Sequence, residues 1–493
     1  MADERDELSA SHRAGARAMR NTTVRAAGEI VGKVATFALF AVLARAVGES
    51  DVGAFVFAFA FLQIATIPIA LGCDPYMLRE IAKDTAASDR LFWNVVALKL
   101  TTALPILAVA FSVLIAVADG STTRWTVIAL APGILIDLVA KTLHSEFNAR
   151  ERGTLLALSL VVQRVATAVV AIAAMALGAG VVTVAALYSA GALLGLVTGA
   201  VLLVRDIGVP RWQVSVRSWR GLTSRSWPFA LQDIFGTLLF KLDAVLLAAL
   251  AAEAAVGRYG AAYRLLESTL FIAWALNGAF AAMYAYLRRD SEPTIAAVFQ
   301  RSVKAGLVLL TPVAVAFGLL AEPIMRIAFG ADFEDGAAAL RLLAPVVVLL
   351  GVVTLCTSLI VSRLDPRTMV KLTAAMVALN VVLNVALIPE LDESGAATAM
   401  LVTEAMFVLL AMRVAVREVG GIDWRSMLGA PAVAGLAMAG VLVALESLPA
   451  VALAAGAIVY AGAYLAVERT FSPDDLAFLR ATVLRRGRAP SSA

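Results

Sequence analysis

The sequence is poor in the residues on which soluble enzymes and secreted domains depend. Only 16% of its 493 residues are charged, and it has two cysteines and two histidines. A typical soluble domain is about a quarter charged, so this shortage argues against a water-soluble globular protein. Cys73 and Cys356 are too few for a disulfide framework, and His12 and His144 lie too far apart in sequence to indicate a zinc site. We therefore expect neither a metal nor a cofactor.

Apolar residues, in contrast, make up 61% of the chain, and the mean hydropathy is +0.86. They form repeated runs of about 20 residues, the length that crosses a bilayer as a helix. The runs are continuous and rich in Ala, Leu and Val, whereas the strands of a β-barrel alternate apolar and polar residues. The pattern predicts an all-α polytopic membrane protein with fourteen transmembrane helices, at 27–46, 52–72, 91–118, 124–143, 155–178, 180–204, 227–250, 258–285, 299–322, 338–362, 369–388, 396–416, 427–446 and 450–468.

Positive charge is distributed unevenly between the two sides of this predicted bundle. Of the 41 Lys and Arg residues, 31 fall in the two tails and in alternate loops. Because cytoplasmic loops carry the excess of Lys and Arg, both termini are predicted to be cytoplasmic. This arrangement accounts for the net charge of +4 without a nucleic-acid partner. The polar N-terminal stretch also predicts that no signal peptide is cleaved. The opposite side holds five: Arg45, Arg124, Arg258, Arg326 and Arg341.

Three pairs of similar stretches occur in the same order in the two halves of the chain. Glu49-Ser-Asp-Val-Gly-Ala-Phe55 resembles Glu253-Ala-Ala-Val-Gly-Arg-Tyr259. The third and ninth segments share a pattern that reads Lys99…Pro105 in one and Lys304…Pro312 in the other. The third pair is 180–183 with 395–398. These matches indicate a repeat of six helices. Because six is an even number, both copies have the same orientation, which predicts two parallel six-helix lobes with a site between them.

The repeat divides the chain into six parts and leaves two helices outside it. We predict a cytoplasmic tail (1–26), an N-lobe (27–204), a cytoplasmic linker (205–226), a C-lobe (227–416), helices 13 and 14 (427–468) and a basic cytoplasmic tail (469–493). No part is long enough for a soluble catalytic domain. The activity is therefore expected inside the membrane.

Several ionisable residues fall within the apolar segments. Each costs roughly 2.5–3.5 kcal/mol at bilayer depth, so it usually faces a partner or a hydrated cavity. Glu29 and Lys33 are four residues apart and share a helix face. Lys241 and Asp243 are two apart and do not. For each cation, the alternative to a cavity position is a structural ion pair. A cavity lined by Lys and Arg suits an anion such as phosphate. The cationic candidates for substrate binding are Lys33, Lys99, Arg164, Lys241 and Arg264, and the candidates for proton coupling are Glu29 and Asp243.

A second stripe runs along the fourth segment. Asp137, Lys141 and His144 are spaced i, i+4 and i+7, and the stripe approaches the predicted cytoplasmic surface. A solvated helix end is the favoured interpretation here.

Three stretches together resemble the polysaccharide-flippase (Wzx-like) branch of the multidrug/oligosaccharidyl-lipid/polysaccharide (MOP) exporter superfamily. They are Lys241-Leu-Asp243 with the run 256–264, Ile327-Ala-Phe-Gly330 with 337–345, and Asn380 and Asn384 with the run from 388 to Glu404. The resemblance implies two MATE-like lobes around a V-shaped cavity, with alternating access. It also implies that an undecaprenyl-diphosphate-linked sugar moves from the cytoplasmic to the outer leaflet. The cationic cavity positions of the family map onto Lys33 and Arg264.

We therefore expect a transporter, not an enzyme, in the bacterial cytoplasmic (inner) membrane. It would flip a polyprenyl-diphosphate-linked oligosaccharide for cell-surface polysaccharide export. The expected partners are this glycan, membrane lipids and the polymerase or glycosyltransferases of the same pathway, and a monomer is expected. Two alternatives come from the same superfamily: a multidrug/cation antiporter and a lipid II flippase. A membrane glycosyltransferase would use Glu49 and Asp51 in the first outer loop, but the loops are too short to bind an acceptor.

Overall fold

The computed structural model describes residues 2–117, 120–286, 292–364 and 367–471, with side chains described from residue 27 onward. Arg288 and Arg289, which the charge analysis placed in a cytoplasmic loop, lie outside the described residues, as does the predicted basic tail from residue 472. The described chain is helical throughout and contains no strand. The prediction of an all-α fold is confirmed.

Within the described residues, fourteen α-helices and one 3-10 helix follow one another. They are α1 (Ala2–Ala70), α2 (Cys73–Lys83), α3 (Ala87–Val117), α4 (Ser121–Ala149), α5 (Gly153–Ala176), α6 (Val181–Asp206), α7 (Val216–Leu250), α8 (Glu253–Tyr286), α9 (Glu292–Leu319), α10 (Ala321–Phe329), the 3-10 helix Ala331–Gly336, α11 (Ala337–Arg363), α12 (Arg367–Val419), α13 (Trp424–Ala444) and α14 (Pro449–Phe471).

Two of these helices are interrupted. In α1 the chain leaves helical geometry at Gly48, whose φ of 79° is readily adopted by glycine. In α12 it does so at Asp392, with φ of 47°. Each break divides its element into two long helices, and only α2 and α10, of 11 and 9 residues, are short. The described chain therefore has fourteen long helices, as predicted.

Length and apolar composition mark ten stretches of the described chain as able to cross a membrane, with α1 and α12 each counted once. Helices α7 and α8 have 35 and 34 residues, which is more than a span requires, and both carry ionisable residues within their apolar stretches. The protein is thus a multi-pass membrane protein. Its N-in/C-in orientation stays a prediction.

The described chain forms two compact units, and the predicted lobe boundaries stay a prediction. The first unit comprises Met1–Gly260 with Asn384–Asp392. In it, α4, α5 and α6 pack on one another and on α1. Gly191, Gly195 and Gly199 form a small-residue stripe along α6. A Cβ at Gly191 would overlap Thr167 of α5, and one at Gly195 would lie 2.7 Å from Gln163 Oε1. Such stripes let membrane helices approach closely.

The second unit comprises Ala261–Leu383 and Glu393–Ala493. Helix α9 packs against α11 and α13, and α13 packs against α14. Tyr460 of α14 donates a hydrogen bond to the Val308 carbonyl of α9 at 2.9 Å. Lys304 of α9 forms a buried ion pair with Glu468 of α14. The two helices outside the sequence repeat are therefore integral to this unit.

Candidate functional site

The first predicted cluster forms where α1 meets α5. Arg164 Nη1 lies 3.0 Å from Glu29 Oε2, and the two side chains remain 31% and 34% exposed. Gly32 makes this possible, because a Cβ there would lie 2.7 Å from Arg164 Cδ. The arginine thus lies across α1 with its guanidinium open to a further ligand.

Lys33 follows Gly32 in α1. It lies one helical turn from Glu29, and its side chain is partly exposed. The structure therefore brings Glu29 and Arg164 together, and Lys33 lies one helical turn from Glu29 on α1. Two cations and one carboxylate give this cluster an excess of positive charge. A guanidinium and an ammonium are both strong ligands for phosphate oxygens.

Lys99 lies in a different environment. Its side chain is 1% exposed, and Nζ lies 2.6 and 2.7 Å from the two carboxylate oxygens of Asp74. It also bonds the Leu138 carbonyl at 2.9 Å and Thr142 Oγ1 at 2.8 Å. An ammonium has three N–H donors, and these four acceptors use all of them. Lys99 is thus a buried cation whose donors are all used within the protein, which leaves none for a substrate.

The charged residues of α7 point in different directions, as their spacing predicts. Asp243 is 2% exposed and accepts hydrogen bonds from Tyr259 Oη at 3.0 Å and Asn384 Nδ2 at 2.8 Å. Lys241, two residues earlier, is partly exposed. The bond from Asn384 to Asp243 joins α12 to α7.

Arg264 lies in the second unit. Its Nη1 is 3.0 Å from Glu267 Oε2, three residues along α8, and both side chains are 24% exposed. Like Arg164, it pairs with a carboxylate, and both partners remain partly exposed. The two predicted arginines thus have similar local settings in separate units.

The repeated motif at residues 49 and 253 forms a contact that sequence reasoning missed. A Cβ at Gly53 would overlap the Glu253 carbonyl oxygen, and a Cβ at Gly257 would overlap the Glu49 carbonyl oxygen. The two copies of the motif therefore pack against each other reciprocally, each glycine on the first residue of the other copy. The glycine at the fifth position of both copies could have indicated a close backbone contact from the sequence alone.

Side chains reinforce this contact between the two motifs. Arg258 Nη1 lies 3.0 Å from Glu49 Oε2, and Ser50 Oγ donates to Glu253 Oε2 at 3.2 Å. Thr123 Oγ1, at the start of α4, donates to Glu253 Oε1 at 2.5 Å. One ion pair and two hydrogen bonds to Glu253 thus join the two motifs to each other and to α4.

The α4 stripe is only partly the solvated helix end that we expected. Lys141 is exposed. Asp137, however, accepts hydrogen bonds from Gln163 Nε2 at 2.7 Å and Tyr188 Oη at 2.6 Å, inside the packing of α4, α5 and α6. His144 Nε2 lies 3.2 Å from Ser159 Oγ.

Residues 18–280, more than half of the chain, match the family model described as polysaccharide biosynthesis protein. The chain belongs to the polysaccharide biosynthesis protein family. The resemblance inferred from the sequence is confirmed.

Individual relatives agree with this membership. The chain is 23% identical to a protein of Haloferax volcanii named as a probable low-salt glycan biosynthesis flippase, Agl15, over 82% of this chain and 85% of the relative. Among solved structures it resembles the lipid II flippase MurJ in an inward closed conformation, with a TM-score of 0.73, 14% identity, and coverage of 91% and 99% of the two chains. It also resembles an inward-facing multidrug resistance MATE transporter of the MOP superfamily, with a TM-score of 0.63, 14% identity, and coverage of 82% and 98%. The predicted MATE-like fold is confirmed.

Proposed function

We propose that this polysaccharide biosynthesis protein flips a polyprenyl-diphosphate-linked oligosaccharide across the cytoplasmic membrane for cell-surface polysaccharide export. The observation that carries the proposal is the cluster of Glu29, Lys33 and Arg164. In it, Arg164 and Glu29 form a partly exposed ion pair between two apolar helices, and Lys33 lies one helical turn from Glu29. The named flippase activity of the Haloferax volcanii relative supports the same reaction.

The physical problem of flipping is the passage of a diphosphate and its sugars through hydrocarbon. Arg164 and Lys33 lower that barrier by binding the diphosphate oxygens, while the polyprenyl tail stays in lipid. Glu29 acts as a placeholder, because it satisfies Arg164 while no substrate is bound. The incoming diphosphate replaces Glu29 as the partner of Arg164. A charge-assisted, bidentate contact of this kind is among the strongest hydrogen-bonded pairs.

Arg264 has the same role in the second unit, where Glu267 is its placeholder. Lys241 supplies a further cation on α7. We assign the binding of the headgroup to Lys33, Arg164, Lys241 and Arg264, and keep Glu29 and Asp243 as candidates for proton coupling. The protein acts by alternating access, as a monomer, in the bacterial inner membrane with both termini in the cytoplasm. The polymerase or glycosyltransferases of the same pathway are its proposed partners.

The test is substitution of the cations, with a matched control. In cells that depend on this protein, Lys33→Gln, Arg164→Gln and Arg264→Gln are expected to abolish surface polysaccharide at unchanged protein level. Arg341→Gln removes an arginine of an exposed ion pair with Glu322, 2.6 Å apart, and is expected to have no effect. Normal polysaccharide in all three site variants would overturn the assignment of the anion site.

A second experiment distinguishes the alternatives. Growth of a strain depleted of its lipid II flippase, restored by this protein, would favour the lipid II substrate. Efflux of a cationic dye from vesicles, driven by protons or sodium, would favour the multidrug/cation antiporter. We expect neither result, because the partly exposed carboxylates Glu29 and Glu267 are each paired with an arginine and are not free to bind a cationic drug.

A further inference from the structure

Asp137 is a carboxylate inside the first unit whose two hydrogen-bond partners are neutral. Its Oδ1 accepts from the amide of Gln163, on α5, and its Oδ2 accepts from the hydroxyl of Tyr188, on α6. In the described part of the chain, the Asp137 carboxylate makes no ion pair. Glu29, Asp74 and Glu146 each have a cation within 3.0 Å. An anion with neutral partners at bilayer depth is costly, so a proton is a ligand that relieves the cost.

The charged groups around Asp137 leave the carboxyl able to gain and lose this proton. Lys141, one turn along α4, and Arg164, on α5, are the cations that act on it. Arg164 is already paired with Glu29 of α1, and Lys99 of α3 with Asp74 of α2. His144, two turns along α4, bonds Ser159. Asp137 is partly exposed and Lys141, one turn away, is exposed, so the carboxyl is not sealed from the surface of the unit.

Gln163 allows the site to be satisfied in both protonation states. With the carboxylate charged, the Gln163 amide donates to Oδ1. When Oδ1 carries a proton, rotation of the amide presents its carbonyl oxygen as the acceptor. Gly195 provides the space, because a Cβ there would lie 2.7 Å from Gln163 Oε1 and 2.8 Å from its Cβ. The hydroxyl of Tyr188 bonds Oδ2 in either state.

We infer that Asp137, Gln163 and Tyr188 form a proton-binding site that couples a proton gradient to transport. The inference rests on the proposed function, since it names the driving ion of the same transporter. A hydronium ion gives its proton to Asp137 Oδ1, water leaves, and nothing is oxidised or reduced. The change reaches the second half of α1 through Tyr188, whose ring meets Phe59 edge-on with 5.7 Å between centroids. That half of α1 also carries the contact between Gly53 and Glu253.

Infrared spectroscopy tests the site without transport. The full-length protein in lipid nanodiscs is scanned across pH, and the carbonyl stretch of protonated carboxyl groups is recorded. Asp137→Asn is expected to lose one titrating band that the wild type shows, whereas Glu322→Gln, at an exposed surface pair, keeps it. An identical set of titrating bands in wild type and Asp137→Asn overturns the inference. If Asp137→Asn does not fold, Tyr188→Phe is used instead. The midpoint pH of the titrating band is then expected to shift from its wild-type value. An unchanged midpoint pH overturns the inference.

Proteoliposomes carrying a lipid-linked glycan separate this inference from the proposed function. A pH gradient is expected to stimulate flipping by the wild type and by Glu322→Gln, and not by Asp137→Asn. Equal stimulation of Asp137→Asn overturns the proton site while the flippase proposal stands. A titrating Asp137 band without any flipping by the wild type overturns the proposed function and leaves the site in place.

Discussion

Lys99 and Lys304 occupy corresponding positions in the two sequence repeats, and each is buried in an ion pair. Lys99 of α3 binds Asp74 from the short helix α2. Lys304 of α9 binds Glu468 from α14, which lies outside the repeat. In the first copy the carboxylate comes from a helix of the same repeat. In the second copy it comes from α14, a later helix outside the repeat. This pair joins α14 to α9 in addition to the apolar cluster that contains Ala316 and Tyr460.

The Lys304–Glu468 pair is therefore expected to be essential for the stability of the second unit. Glu468→Gln leaves a buried ammonium without its carboxylate and is expected to cost about 3–5 kcal/mol. The double variant Lys304→Met/Glu468→Leu removes both charges and is expected to recover most of that loss. Thermal unfolding in detergent measures both variants. The control is Glu322→Gln, whose exposed pair is worth about 0–1 kcal/mol, and a loss as large as that of Glu468→Gln would contradict the prediction.

The contact between the repeated motifs is expected to open when either glycine gains a side chain. Gly53→Ala and Gly257→Ala place a methyl group where the carbonyl of Glu253 or Glu49 now lies. Helical propensity favours alanine, so folding is retained while the contact is lost. The probe is Thr123→Cys, at a position 4% exposed in the contact, with Cys73 and Cys356 replaced by alanine.

Modification of this cysteine by a membrane-impermeant maleimide is expected to be faster in the alanine variants than in the parent. Gly236→Ala serves as the control, because a Cβ at that position meets no atom within 4 Å. If Gly257→Ala and Gly236→Ala gave the same rate, the two motifs would not hold the surface closed.

Arg164 is expected to lose its position when Gly32 is replaced. Gly32→Ala drives the arginine side chain away from α1, since the new Cβ would lie 2.7 Å from Cδ. The side chain is flexible and its surface partly open, so stability is expected to change by less than about 1 kcal/mol. Surface polysaccharide, however, is expected to fall well below wild type. Gly221→Ala, which has open space around it, is the control, and equal polysaccharide in both variants would argue against a role for Arg164.

Asn94 is expected to hold the linker between α6 and α7 in place. This buried side chain donates to the Gln213 carbonyl and accepts from the Ser215 amide, the Ser218 hydroxyl and the Trp219 indole. Asn94→Ala leaves these groups without their partner, at about 0.5–1.5 kcal/mol for each hydrogen bond lost. Limited trypsin digestion is expected to cut faster after Arg211 and Arg217 in this variant. Ser112→Ala, which removes a bond to the carbonyl four residues earlier in α3, is expected to leave the cutting rate unchanged.

The helices could be predicted from the sequence because a helix that crosses lipid needs about 20 consecutive apolar residues, and such a run can be recognised without knowing its neighbours. The breaks near Gly48 and Asp392 fall in the gaps left between the predicted segments 27–46 and 52–72, and 369–388 and 396–416. The short helix α2 was not predicted, since its 11 residues carry no span-length apolar run. Helix α7 begins at Val216, earlier than the predicted 227, because polar residues can continue a helix beyond the hydrocarbon.

The candidate site was harder to predict, because the role of a lysine or arginine depends on what packs against it. Lys33 and Lys99 are the same residue type in similar apolar runs, yet one is partly exposed and the other is enclosed by Asp74, Leu138 and Thr142. These partners come from α2 and α4, and no spacing within α3 reveals them. For the same reason the pairing of Arg164 with Glu29 could not be read from either helix alone.

The reciprocal glycine contact also restricts how the two halves of the gene can diverge. Where each copy packs against its own helices, a substitution in one copy is tested only against that copy. At Gly53 and Gly257 each copy packs against the backbone of the other. A larger residue at either position therefore clashes with a backbone carbonyl of the opposite copy. Duplicated segments that have otherwise drifted apart are thus held to a common shape by mutual contact.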